Sequence, residues 1–188
     1  MNRFNSLFTK NIYYGSQLLP VKTKKNKISF QVIEKYVLIQ QGKKHTKIVV
    51  GDYFLLKRKY TEQQVKTYAE ISGDNNPIHT DEEAGKFAQT ENSKQIYSKF
   101  RVAHGMLTGG IFGQMLGSTL HDAIYLNQTL KFTAPVFLNE EVEGRMEVID
   151  VNYKKKFIKL KTSLHKIHEN DKIAVEGEAM VLYKYLEE

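Results

Sequence analysis

The chain has 188 residues, no cysteine, 41% hydrophobic residues and a formal charge of +7. That length buries a substantial core without disulfide or metal staples. The missing cysteine excludes disulfides, thiolate metal sites and a cysteine nucleophile, and no stretch reaches the ~20 apolar residues of a membrane-spanning helix.

The positive charge is confined to the amino-terminal part. Residues 1–33 carry Arg3, Lys10, Lys22, Lys24, Lys25 and Lys27 and no Asp or Glu, and the remainder lies within one charge of neutrality. Nucleic-acid binding needs a clustered basic surface, so no nucleic-acid partner is expected. The opening "MNRFNSLFTKNIYYGSQLLP" is basic, hydroxylated and acid-free, with Phe4, Leu7 and Phe8 at helical spacing. These are the marks of a mitochondrial presequence, and the alternative is a basic arm of a cytosolic protein. Residues 1–33 are assigned to that presequence or arm, 34–46 to an extra strand or arm suggested by "ISFQVIEKYVLIQ", and 47–188 to one folded domain.

Within the domain, "TEQQVKTYAEISG" predicts a short helix. Thr61 and Gln64 form a capping box, Val65, Tyr68 and Ala69 face inward, and Gly73 ends it. A second, buried helix is expected over "HGMLTGGIFGQMLGSTL", with Leu107, Ile111, Met115 and Leu116 at helical intervals. Gly109, Gly113 and Gly117 fall every four residues, and each interior glycine costs a helix about 1 kcal/mol against alanine. That stripe predicts close approach of the helix to another backbone. After Ile124 the period changes to two. "EEVEGRMEVIDV", "FIKLKTSL" and "KIAVEGEAMVLYKYL" alternate, separated by the turns "NYKKK" and "HEND". Consecutive strands joined by short turns make an antiparallel sheet, and one buried helix with one such sheet is an α+β architecture.

The stretch "ISGDNNPIHTDEEA" crowds Asp74, Asn76, Pro77 and His79 into six positions. Pro77 forbids a continuous helix and pushes Asn76 toward extended backbone, so an irregular loop is expected to bring Asp74 and His79 together. A carboxylate and an imidazole at one point hold a water and move its proton. The same residues also make an ordinary Gly-Asp-Asn-Asn-Pro turn. His104-Gly105 opens the second helix, where the first N–H groups lack intrahelical partners. Gly105 admits a carbonyl oxygen to such a donor, and His104 is read as packed, capping or supporting.

"YAEISGDNNPIHTDEEAG", then "VAHGML" and "IYLNQTLKFTAPVFLNEEV", resembles the MaoC-like (R)-specific enoyl-thioester hydratase family and, within it, the mitochondrial 3-hydroxyacyl-thioester dehydratases of type 2. The resemblance runs from Ile48 to Tyr185. It implies a hot-dog fold, an antiparallel sheet wrapped around a long central helix, and a homodimer joined at a sheet edge. It implies Asp74 and His79 as the catalytic pair, Asn76 and Pro77 as motif residues, and the Gly105 N–H as the thioester-carbonyl donor. The implied reaction is reversible hydration of a trans-2-enoyl thioester to the (3R)-hydroxyacyl thioester, with no metal and no cofactor. The substrate carrier is then an acyl-carrier protein or CoA; Lys99 and Arg101 are read, from their place near the site, as side chains able to meet its phosphates, the alternative being that they are simply solvated. The implied setting is type II fatty-acid synthesis in the mitochondrial matrix. Alternatives are an (R)-specific enoyl-CoA hydratase outside that pathway and a hot-dog subunit used structurally in a larger mitochondrial assembly. Two features depart from the family: a long His79–His104 segment, with extra residues in "QTENSKQIYSKF", and Gly113 where several relatives carry serine.

Overall fold

The computed structural model describes residues 12–14, 17–19, 47–89, 91 and 100–188. The expectations for a presequence helix around Phe4–Phe8, for a strand over 28–40 and for the inserted segment after Gln89 lie largely outside these residues. Inside the amino-terminal stretch, β1 (Ile12–Tyr14) pairs antiparallel with β2 (Gln17–Leu19).

The domain begins with β3 (Tyr53–Arg58) and α1 (Glu62–Ser72). The capping box at α1 is complete. Thr61 Oγ1 accepts the Gln64 N–H at 3.3 Å, and Thr61 N–H donates to Gln64 Oε1 at 3.0 Å. Gly73 ends the helix in the left-handed region at φ 74°, its N–H bonded to Ala69 O, a conformation glycine adopts without a Cβ penalty. Val65 and Ala69 are buried and Tyr68 is half-buried, as the spacing predicts.

The central helix comprises α4 (Gly105–Gly109) and α5 (Ile111–Thr119). Gly110 between them stays right-handed at φ −60° and ψ −14°. Its N–H reaches Met106 O at 3.0 Å and its carbonyl accepts Gln114 N–H at 3.2 Å, so the hydrogen-bond ladder crosses the junction. Two single helical turns, α2 (Pro77–Thr80) and α3 (Glu82–Gly85), precede it.

The sheet follows: β4 (Ile124–Gln128), β5 (Lys131–Phe132), β6 (Val142–Asn152), β7 (Phe157–Lys166) and β8 (Lys172–Leu182). Its order is β3-β6-β7-β8-β4, with β5 also on β8, and every pairing is antiparallel. Val142, Gly144, Met146 and Val148 are buried on one face of β6, and Ile158, Leu160, Thr162 and Leu164 on β7. Ile111, Phe112, Met115 and Leu116 of α5 join them in one core. Each fully buried large aliphatic side chain contributes about 1.5–3 kcal/mol, so this seam fixes the helix on the sheet.

The glycine stripe behaves differently from its sequence reading. Gly113 and Gly117 are exposed, and a Cβ on either meets nothing within 4 Å among the described residues. Gly109 faces the Leu130 side chain rather than a backbone. The glycine that lets helix and sheet approach is Gly144 on β6, where a Cβ would stand 2.8 Å from Met115 Sδ and 2.9 Å from Ile111 Cδ1. The helix turns its large residues, not its glycines, toward the core, because burial of apolar area outweighs backbone proximity.

Candidate active site

Three short pieces of chain build the site: the loop from Gly73 to Asn76, the turn α2, and residues 101–105 leading into α4. Pro77 does not hold its segment open as a loop. It starts α2, where proline's missing N–H would have no partner anyway. Asn76 caps that turn, its Oδ1 accepting Ile78 N–H at 3.3 Å, and its backbone is extended at φ −55° and ψ 128°. His79 therefore sits on a helical turn and not on the irregular loop expected. Asp74 lies on the loop before it, so Pro77 separates two elements that face each other.

Asp74 is aimed by its own turn. Its Oδ1 accepts Asn76 N–H at 3.2 Å and its N–H reaches Ser72 Oγ at 3.2 Å. Its Oδ2 lies 3.7 Å from His79 Nε2, beyond direct hydrogen-bond reach and close enough for one water to touch both. The carboxylate is half-exposed, while His79 is buried.

His79 Nδ1 lies 2.7 Å from Val102 O. A carbonyl oxygen only accepts, so Nδ1 carries the hydrogen and, in the neutral ring, Nε2 presents its lone pair toward Asp74. Burial pushes the His79 pKa below its ordinary value, and His104 adds to that. The Val102 carbonyl and Asp74 oppose the shift without reversing it.

His104 does more than pack. It is 1% exposed, and its Nε2–H donates to the Asp74 backbone carbonyl at 3.0 Å. Its ring stacks on His79 with centroids 3.7 Å apart, and Tyr68 closes the other side at 4.9 Å. His104 thus clamps the Asp74 loop against the ring that faces it. Gly105 follows as the first residue of α4, with its N–H lacking an intrahelical partner. The structure gathers Asp74, Asn76, Pro77, His79, His104 and Gly105 into this one region.

Asp74, His79 and His104 also offer ligand atoms within 4.8 Å of one another. His79 Nδ1 and His104 Nε2 are engaged by carbonyls, and His104 Nδ1 is buried with no hydrogen-bond partner among the described residues.

Sequence reasoning missed Val102, whose contribution is a backbone carbonyl that leaves no trace in residue identity. It also misplaced Arg101. That guanidinium is held by Glu82 at 2.8 Å and by Glu62 at 2.7 Å, both of which raise its pKa further. It braces α1 against α3 and is not open to a carrier phosphate. Lys99 lies outside the described residues.

The family pattern for the MaoC like domain matches residues 50–170. The chain belongs to the MaoC-like domain family, and its fold is the hot-dog fold. It is 31% identical over 144 residues to a mitochondrial 3-hydroxyacyl-[acyl-carrier-protein] dehydratase of Arabidopsis thaliana, covering 76% of this chain and 81% of that one. It is 36% identical over 134 residues to an (R)-specific enoyl-CoA hydratase of Rhodospirillum rubrum, covering 70% and 85%. Among solved structures it resembles the (R)-hydratase from A. caviae involved in PHA biosynthesis, with a TM-score of 0.63 and 30% identity over 72% of this chain and 97% of that one.

Proposed function

We propose that this protein hydrates trans-2-enoyl thioesters to (3R)-3-hydroxyacyl thioesters, and catalyses the reverse dehydration, on acyl-carrier-protein substrates of fatty-acid synthesis in the mitochondrial matrix. The observation that carries the reading is the 3.7 Å gap between Asp74 Oδ2 and His79 Nε2, with His79 Nδ1 tied to Val102 O just before Gly105. A water in that gap is polarised from two sides. Its oxygen bonds to the β-carbon of the enoyl group as one O–H bond breaks. The Asp74–His79 pair takes that proton and returns it to the α-carbon on the same face, completing syn addition. Charge that builds on the thioester oxygen meets the Gly105 N–H. His104 supports the pair by holding the Asp74 carbonyl, and Asn76 and Pro77 hold the turn that presents His79. The thioester supplies the electron demand, so the chemistry calls for no cofactor.

The mitochondrial carrier-protein reading is supported by the name of the Arabidopsis relative and by the acid-free basic start of the chain. The enoyl-CoA reading is favoured by the name of the Rhodospirillum relative. Competition between trans-2-enoyl CoA and carrier-protein thioesters of one chain length separates them: a higher kcat/KM on the carrier protein supports the first reading, and a clear preference for CoA supports the second. No hydration of either leaves the alternative of a structural subunit.

A neutral His79 gives the reaction a defined pH dependence. Burial holds the folded pKa of His79 below the ordinary 6.5, so the ring takes up its proton at lower pH than a free imidazole. Hydration kcat/KM should lose rate on the acid side along a limb whose midpoint lies below 6.5. Stability has the same sign. The unfolded chain takes up the proton first, so the contribution of His79 is complete above 6.5 and is lost as pH falls through the lower folded value. An acid limb centred above 6.5 would contradict this arrangement.

The edge strand β4 exposes Ile124 and Leu126, 57% and 48% accessible, beside Met180 on β8. Among the described residues no further strand covers this edge of β4, and an apolar open edge is a pairing surface, which supports a homodimer through β4. Leu126→Lys should convert a dimer to a monomer in sedimentation equilibrium. A monomeric native protein, or a dimer unaffected by that change, would sink this part of the reading.

A further inference from the structure

A cluster of buried charged side chains lies on the far side of residues 101–103 from His79. Lys166, at the end of β7, is 1% exposed, Glu140 is fully buried and Glu169 is 7% exposed. Lys166 Nζ stands 2.8 Å from Glu169 Oε1 and 3.4 Å from Glu140 Oε1. Taking such charges out of water costs several kcal/mol per ion before pairing repays it. A buried pair is therefore weak evidence for a stabilising role, and its neighbours show what it holds.

Those neighbours form a short path to the site. Lys166 Nζ donates to Pro135 O at 2.8 Å, and Glu140 Oε2 accepts Phe137 N–H at 2.9 Å. The Lys166 ammonium also lies 5.0 Å above the Phe137 ring. Residues 135–138, held at Pro135 and Phe137 in this way, run antiparallel to residues 101–103. Ala103 N–H donates to Val136 O at 2.8 Å and Leu138 N–H to Arg101 O at 3.0 Å, bracketing the Val102–Phe137 bridge. On its other side Val102 donates its N–H to Ile78 O at 3.0 Å, and its carbonyl accepts the His79 Nδ1–H at 2.7 Å. One strand of three residues is thus held between the charged cluster and the imidazole.

We propose that the Glu140–Lys166 pair is a positioning device for His79: it fixes residues 135–138, which fix the Val102 carbonyl, which sets the tautomer and aim of the ring. The same three residues lead into Gly105, so the oxyanion donor is placed by the same support. The inference rests on the hydratase reading above for its kinetic consequences and on geometry alone for its structural ones. Neither Glu140 nor Lys166 touches the reacting atoms. Misplacement of a catalytic group by about 1 Å costs up to 10²-fold in rate, so loosening this support acts on kcat rather than on substrate binding.

The test uses the full-length protein with a trans-2-enoyl thioester. Glu140→Ala, which removes the acceptor of the Phe137 N–H, should lower kcat by about 10- to 100-fold, leave KM unchanged, and displace the acid limb of the pH profile. Glu140→Gln keeps an oxygen for that N–H and should restore most of the rate. A folded Glu140→Ala protein with wild-type kcat and pH profile overturns the proposal, whatever its melting temperature. Should Glu140→Ala not fold, hydrogen exchange in the wild type decides. The His79 Nδ1–H and the Phe137 N–H should exchange through one common opening, and independent exchange overturns the proposal. Absence of hydration by the wild type counts against the hydratase reading alone, since the exchange measurement still judges the positioning.

Discussion

Asp74→Asn should lower kcat for enoyl-thioester hydration by about 10²- to 10⁴-fold, the range over which a positioned acid or base contributes, with the protein still folded. Asparagine keeps an oxygen where Asp74 Oδ1 accepts Asn76 N–H, so the turn that presents the side chain survives. What disappears is the negative charge beside His79 Nε2 and the ability to take a proton from water. Asp74→Ala removes the turn contact as well and should be at least as damaging to rate, with a small added loss of stability. His79→Gln should fall in the same range, since glutamine can neither accept and release a proton near neutral pH nor be held by Val102 in the same way. Because the two groups share one water, their effects should not multiply: the double variant should be little worse than the poorer single variant. Steady-state kinetics on the four variants, with circular dichroism to verify folding, checks the set. Full rate in any of the single variants would remove the residue it alters from the chemistry.

The largest expected loss of stability comes from Gly177→Ala. Gly177 lies on β8 against the link between β4 and β5, and a Cβ there would stand far inside van der Waals contact distance of the Thr129 carbonyl oxygen. The obstacle is backbone, and it is pinned. Thr129 N–H donates to Glu178 O at 2.9 Å, and Thr129 Oγ1 accepts Glu178 N–H at 3.0 Å. Relief therefore requires breaking hydrogen bonds or shifting a strand. A cost of about 3 kcal/mol follows from overpacking of this kind, corresponding to a fall of roughly 6–12 °C in Tm for a domain of this size. Gly113→Ala supplies the opposite sign. Its added Cβ meets nothing within 4 Å among the described residues, so it should stabilise the helix by about 0.5–1 kcal/mol. Thermal unfolding of both variants tests whether the glycine that matters is on the sheet rather than on the helix.

These glycines mark where sequence stopped being informative. The capping box at Thr61, the left-handed end at Gly73 and the alternation of Val142, Gly144, Met146 and Val148 are set by near neighbours, so spacing reveals them. Gly144 and Gly177 owe their role to residues far away in the chain, Ile111, Met115 and Thr129, and no local pattern records that. The stripe Gly109, Gly113 and Gly117 was regular enough to suggest a packed face, yet the large residues beside it had more area to bury.

The site divides in the same way. Asp74 and His79 stand out because their chemistry is unusual for a turn, and the motif around them points to a shared role. The geometry that gives them a common water gap depends on Pro77 starting a new helical turn, which local rules permit but do not require. The Val102 carbonyl and the His104 clamp on Asp74 depend on contacts made 23 and 30 residues away. Arg101 looked available for a phosphate because its partners, Glu62 and Glu82, lie 39 and 19 residues earlier.

The central claim is that Asp74 and His79 add one water to an enoyl thioester from a single face. Its most direct test is stereochemical. Purified wild-type protein is incubated with a trans-2-enoyl thioester in deuterium oxide, and the product is analysed on a chiral column and by NMR. The account predicts (3R)-3-hydroxyacyl thioester with deuterium at the α-carbon on the face that received the hydroxyl. A (3S) product, anti addition, or no hydration at all would contradict it.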